Sequence, residues 1–326
     1  MNDASNAASK VPFVLVDVFA GRPLAGNPVS VVPDADGLPV GTMRAIAREF
    51  NQSETTFVLG ASDGRADVRF RSFTPTGEEV GGAGHNIVGA WIWLASAGRL
   101  PVGQESFVQE IGDDLLRVRV ARAGGAAVPG AAVPGAAGPG SAGGVEVTMT
   151  QLAPVAGGVL PAGARGGLAG ALGIRAADLA ESSPRVISTG AGHLLTEVRS
   201  RDVVDRVSPD SRRLADALRA VGAEGCYVYT LEAGTQEERV APYARFFNPI
   251  MGIPEDPATG TAAGPLAARL VEEGVLAPGA AVEIEQGTAL GRRSLIRVRA
   301  LPDGVELTGS GVVSAEGVLH LWADQV

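Results

Sequence analysis

Apolar and polar positions alternate between two periods along this chain. The run 13–19, Phe-Val-Leu-Val-Asp-Val-Phe, is rich in β-branched residues and predicts a buried strand. Gly21-Arg22-Pro23 and Gly26-Asn27-Pro28 interrupt it, and 29–32 resumes a strand. Pro39 then opens a helix with Met43, Ile46, Ala47 and Phe50 on one face, and Asn51 is its stop. Gln52-Ser53-Glu54 leads directly into a strand at 55–59, and 68–73 reads as another strand ending at Pro75. A glycine-dense loop, 77–84, precedes 85–94, where nearly every residue is apolar or small. Such a segment predicts a helix buried on all sides.

Runs 115–121 and 145–149 read as a hairpin. Between them, 124–144 holds Ala-Ala-Val-Pro-Gly twice and then Ala-Ala-Gly-Pro-Gly. It lacks side chains able to build a core, so we expect a mobile, enlarged hairpin tip. The second half repeats the scheme more loosely. Helical pattern is expected at 176–180 and 209–221, with strands near 186, 226–231 and 243–247. A Gly- and Pro-rich loop at 249–260 precedes a helix at about 261–273. Strands near 282–285, 294–300, 305–308 and 318–322 close the chain.

Arg71-Ser72-Phe73-Thr74-Pro75 matches Arg245-Phe246-Phe247-Asn248-Pro249, 174 positions later. Each is followed by an acidic, glycine-bearing loop and a small-residue helix. One strand–loop–helix unit per half implies duplication, with a ligand cleft between the halves. The expected division is 1–152, completed by the last strand near 318–326, and 153–317.

The composition is that of a globular protein, 45% hydrophobic and 19% charged over 326 residues. A net charge of −9 with no basic block argues against nucleic acid as a partner. The longest apolar stretch, 87–97, falls short of the roughly 20 residues a membrane span needs, and residues 1–10 are polar. The single cysteine, Cys226, fits a reducing compartment, so a cytoplasmic location is expected. Three scattered histidines and one cysteine make no zinc site, so no metal is expected. Gly82-Ala83-Gly84 lacks the third glycine of a dinucleotide fingerprint, and neither a phosphate-loop Gly-Lys-Ser/Thr nor Gly-x-Ser-x-Gly occurs. No cofactor is expected.

Candidate chemistry gathers at the loops. The first turn of a helix leaves amides unpaired, and its dipole favours an anion. The helices starting near His85 and Thr261 can therefore hold a carboxylate or developing oxyanion. Equally, their glycines can serve close packing alone. Glu54 enters an apolar strand, where a buried carboxyl has a raised pKa suited to proton exchange; as a turn residue it would simply be exposed. His85 at a helix mouth is either a proton relay or a packed cap. Asp256, in Glu255-Asp256-Pro257-Ala258-Thr259-Gly260-Thr261, is a helix cap or a cleft residue. His193 and His320 read as structural or exposed.

Taken in order, these segments resemble the phenazine-biosynthesis PhzF family. They are Asp17-Val18-Phe19 with Gly26-Asn27-Pro28, Asn51-Gln52-Ser53-Glu54-Thr55, Phe73-Thr74-Pro75, Gly84-His85, Ser188-Thr189-Gly190, Glu255-Asp256-Pro257-Ala258-Thr259-Gly260, and Gln286-Gly287 with Gly291-Arg292. The resemblance implies an α+β fold of diaminopimelate epimerase type: two similar domains, each a strongly curved, mostly antiparallel sheet wrapped round a central helix. It also implies a homodimer. The acid–base glutamate falls on Glu54, with His85 and Asp256 as further catalytic residues. Gly84, Asn86, Gly260 and Thr261 fall at substrate-binding positions. Asn86 stands where proline is common in the family, and Thr261 where serine is.

The activity implied is a cofactor-independent double-bond shift on a small unsaturated carboxylic or amino acid of specialised metabolism, including antibiotic biosynthesis. Its substrate would resemble trans-2,3-dihydro-3-hydroxyanthranilate or an alkylproline-type precursor. An amino-acid racemase or epimerase is the neighbouring alternative, although no cysteine lies at either helix mouth. A non-catalytic small-carboxylate binder is the alternative from another class.

Overall fold

The computed structural model describes residues 9–81, 84–122, 144–231 and 241–322. The expected tip at 124–144 lies outside them but for Gly144. The chain forms two compact units, 1–149 with 310–326, and 150–309.

The first unit is built from β1 (Ser9–Val18), β2 (Asn27–Val32), α1 (Val40–Phe50), β3 (Thr55–Leu59), β4 (Val68–Phe73), β5 (Glu79–Val80), α2 (His85–Ser96), β6 (Ser106–Ile111), β7 (Asp114–Arg122) and β8 (Val145–Gln151). Helix α1 starts after Pro39 and stops at Asn51, whose left-handed backbone (φ 51°) sends its amide back to the Ala47 carbonyl. The β2–β3 and β4–β6 pairs are parallel, and β1–β2, β3–β4, β4–β5, β6–β7 and β7–β8 are antiparallel. The two parallel joins require crossovers, which α1 and α2 supply.

Helix α2 is buried along its whole length except Ser96. It packs on β1, β2 and β3 and also on β7, so the sheet curls round it. Two features make this burial tolerable. The Trp91 indole N–H donates to Gln109 Oε1 at 2.6 Å. Gly89 meets β2 so closely that a Cβ there would lie 2.3 Å from Val29 Cγ1.

The second unit holds β9 (Val155–Val159), α3 (Arg165–Ala171), β10 (Arg185–Ser188), β11 (Gly192–Glu197), α4 (Arg201–Arg206), α5 (Ser211–Val221), β12 (Gly225–Thr230), β13 (Tyr243–Asn248), β14 (Ile253–Asp256), α6 (Gly260–Glu272), β15 (Ala281–Gln286) and β16 (Ser294–Leu301). Its pairings repeat the first unit's in order and sense. β10–β11 is antiparallel, β11–β12 parallel, β12–β13 and β13–β14 antiparallel, β13–β15 parallel and β15–β16 antiparallel. Helix α6 occupies the place of α2 and packs on β10, β11 and β16. Its buried Arg269 is satisfied by Glu273 and by the Leu195 and Ser183 carbonyls.

The last strand, β17 (Gly304–Leu321), runs 18 residues. Its start pairs with β16, and residues 311–321 pair with β1. Two strands were expected here, at 305–308 and 318–322, because Gly311 and Gly317 look like turn residues. They serve close approach instead. A Cβ on Gly311 would stand 2.5 Å from the Asp17 carbonyl oxygen, and one on Gly317 would stand 2.6 Å from the Phe13 ring. The helix expected at 176–180 is only a 3₁₀ turn, Ala176–Asp178. The nearby α-helix is α3, whose glycines lower its propensity and hid it.

Candidate functional site

In the first unit the site is set by strand register. Because β2 and β3 run parallel with Ser30 opposite Thr55, the residue before β3 lies beside the start of β2. That residue is Glu54. Helix α2, drawn close by Gly89, brings His85 to the same place. His85 Nε2 stands 3.2 Å from Glu54 Oε2, with the His85 side chain almost buried and that of Glu54 about one-fifth exposed. Burial pushes the imidazole down to about 4, against the opposing effect of a hydrogen bond to the Pro28 carbonyl. The ring is therefore neutral near pH 7.

Gly84 caps α2 in an extended conformation (φ −143°). Asn86 is buried, and its amide donates to Ser72 Oγ at 3.1 Å. Ser72 Oγ in turn lies 3.0 Å from Thr56 Oγ1, so one donor of the Asn86 amide is engaged inside the sheet.

The second unit builds its helix mouth on a pinned loop. Asp256 ends β14 and accepts a hydrogen bond from the Thr259 hydroxyl at 2.5 Å. Buried Gln286 holds three points of that loop: its amide donates to the Asp256 carbonyl (2.7 Å) and to Thr259 Oγ1 (3.1 Å), and its oxygen accepts from the Thr259 amide (3.3 Å). Gly287 follows at φ 79°, where a Cβ would lie 2.5 Å from the Pro257 carbonyl oxygen. Glu255 pairs with Arg245 through two bonds of 2.8 and 2.7 Å, and Arg245 also donates to the Val204 and Val207 carbonyls. Glu255 is thus a structural anchor, and Asp256 is the acid nearest the start of α6. Gly260 opens that helix where a Cβ would meet Leu307 at 2.6 Å, and Thr261 is half-buried beside it.

His193, which the sequence left as structural or exposed, is buried, with Nε2 3.1 Å from Thr261 Oγ1. Desolvation pushes its imidazole down to about 4. Only the topology reveals it, because no local pattern links residues 193 and 261. His320 is exposed on β17. Among the described residues no group of His, Cys, Asp or Glu could hold a metal ion, and no helix is long and apolar enough to cross a membrane.

Two duplicated units, each a curved sheet round a buried helix, with ionisable or hydroxyl groups at both helix mouths, define the fold class of the racemases, epimerases and related isomerases. A hydroxyproline epimerase from Agrobacterium vitis, solved with bound trans-4-hydroxy-L-proline, shares this fold at TM-score 0.58 and 14% identity over 96% of this chain and 93% of its own. A phenazine-biosynthesis PhzF-family protein of Bacillus anthracis matches at TM-score 0.81 and 27% identity, covering 95% of this chain and 99% of its own. The trans-2,3-dihydro-3-hydroxyanthranilate isomerase of Pseudomonas fluorescens is 32% identical over 95% of this chain and 99% of its own. The family model for phenazine biosynthesis-like proteins, PhzC-PhzF, matches residues 16–317. The chain belongs to that family, and it is an isomerase.

Proposed function

We propose that this isomerase moves a proton along a small unsaturated carboxylic or amino acid, shifting a double bond, and that Glu54 carries the proton without metal or cofactor. The observation that carries this reading is the Glu54–His85 contact of 3.2 Å. A neutral imidazole has one N–H. When that N–H serves the Pro28 carbonyl, Nε2 presents a lone pair to Glu54. That lone pair can accept a hydrogen bond from the carboxyl once Glu54 has taken a proton from the substrate, so the pair can hold the proton between its removal and its return. As the carboxylate, Glu54 takes a proton from one carbon and returns a proton to another, which shifts the double bond and regenerates the base.

In this reading Asp256 engages the substrate's polar groups, and the amides of Gly260 and Thr261 bind its carboxylate at the start of α6. The trans-2,3-dihydro-3-hydroxyanthranilate skeleton, named for the Pseudomonas fluorescens relative, offers the required carboxylate and activated carbon. An alkylproline-type precursor offers the same chemistry. The protein acts as a homodimer in the cytoplasm.

The internal duplication supports double-bond migration over epimerisation. Thr55 pairs with Phe73, and Cys226 pairs with Phe247, the counterpart of Phe73 in the repeat. Gly225 therefore stands where the first unit has Glu54. A two-base epimerase needs a proton carrier on each face of its carbon, whereas a single glutamate suits removal and return on one face.

The test is turnover of trans-2,3-dihydro-3-hydroxyanthranilate by wild type and Glu54→Gln. General acid–base catalysis of this kind is worth about 10²–10⁴-fold. We expect kcat to fall by that factor with the fold retained. Full turnover by the variant would remove Glu54 from the mechanism.

A further inference from the structure

His193 plays no part in the proposed reaction, yet its side chain is buried and held in place near the second helix mouth. It lies on β11, 2% exposed, and its ring meets that of Phe246 edge-on at 4.9 Å and 82°. Phe246 reaches it by lying in the space that Gly225 leaves open. A Cβ on Gly225 would stand 2.4 Å from Phe246 Cζ. The strand pair β11–β12, with His193 opposite Gly225, thus builds a slot that fixes the imidazole plane. Nε2 then points at Thr261 Oγ1, 3.1 Å away. Nδ1 is buried with no hydrogen-bond partner among the described residues.

That asymmetry decides the tautomer. A neutral imidazole carries one N–H. On Nδ1 it would be a buried donor without an acceptor, an arrangement that is rare in folded proteins. On Nε2 it donates to Thr261 Oγ1, and only a lone pair is left unpaired. A hydroxyl that accepts this bond keeps its own proton free to donate elsewhere. At the first turn of α6 that proton joins the helix's unpaired amides as a donor to an anion.

We propose that His193 is a positioning residue that commits the Thr261 hydroxyl to donate a hydrogen bond to the substrate's carboxylate. The inference rests on the reading above that Thr261 binds that carboxylate. It gives Gly225 a second meaning: the position without an acid is empty so that Phe246 can hold His193 in plane.

Two measurements on the full-length protein test it. With only three histidines in the chain, ¹⁵N-labelled imidazoles can be assigned by single replacement, and their ¹⁵N shifts report the tautomer without any substrate. His193 should be in the Nε2–H form and should shift in Thr261→Val. An Nδ1–H form would overturn the proposal.

The second measurement is a double-mutant cycle in turnover of trans-2,3-dihydro-3-hydroxyanthranilate. His193→Phe and Thr261→Val should each raise KM about 10-fold with a smaller change in kcat. Together they should cost no more than either alone. His193→Gln, which keeps an N–H near the Nε2 position, should recover most of the KM and guards against a folding defect. Additive effects, or no rescue by glutamine in a folded variant, would reduce His193 to packing. If wild type does not turn this substrate over, the proposed reaction falls on that compound, and the tautomer alone decides the inference.

Discussion

Two buried neutral imidazoles, His85 and His193, make the molecule sensitive to acid. Both have folded-state values of about 4 against an ordinary 6.5, so between those limits the unfolded chain binds protons that the folded chain refuses. Stability therefore falls as pH drops from about 6.5 to about 4 and levels off below, by about 3 kcal/mol for each ring. Urea midpoints measured across that window should decline, and His193→Gln should remove roughly half of the decline attributable to the two rings. A flat profile would mean that the two rings take up protons in the fold as readily as in the unfolded chain.

Cys226 makes the opposite case. It is wholly buried, and desolvation pushes its thiol up to about 12, so it should resist iodoacetamide in the folded protein and react only on unfolding. At this scale the sequence was partly legible. Glu54 and His85 advertise themselves as polar residues entering apolar elements. His193 does not, because its meaning comes from a partner 68 residues away.

Among the elements, the central helices depend on close approach. Gly89 is the position where α2 meets β2, and Gly287 is where the turn after β15 meets the Asp256 loop. Gly89→Leu should either unfold the protein or lift α2 from its strands, separating His85 from Glu54. Gly287→Ala combines a clash at 2.5 Å with a backbone at φ 79°, so a loss of about 2 kcal/mol or more is expected from backbone incompatibility and displaced packing. Thermal unfolding with a parallel kcat measurement checks both. Unchanged stability in Gly287→Ala would show that the Gln286 brace does not need this turn.

The helices α1, α2 and α6 could be read from periodicity, buried composition and caps. Strand β17 could not, since glycines chosen for close backbone approach mimic turn signals. Strands β9, β11 and β14 were also hidden: they are short, and β9 and β11 include glycines that suppress the strand pattern.

For the whole molecule, the decisive fact is the duplication. Both units lay out the same sequence of parallel and antiparallel pairs, which the five-residue match between 71–75 and 245–249 only hinted at. The chain's end also returns to its beginning. Residues 311–321 pair with nearly the full length of β1, so removing 310–326 would expose β1 as an open edge. Such a truncated protein should lose the cooperative unfolding of the first unit, seen as protease sensitivity confined to 9–149. Full protease resistance there would show that the first unit closes without its last strand.

The most direct test of the account is turnover of trans-2,3-dihydro-3-hydroxyanthranilate in heavy water, followed by mass spectrometry and NMR of the product. The product should carry a shifted double bond and up to one solvent-derived deuterium at the newly protonated carbon, and Glu54→Gln should form none of it. Deuterium at an inverted stereocentre with the double bond unmoved would contradict it and make the protein an epimerase.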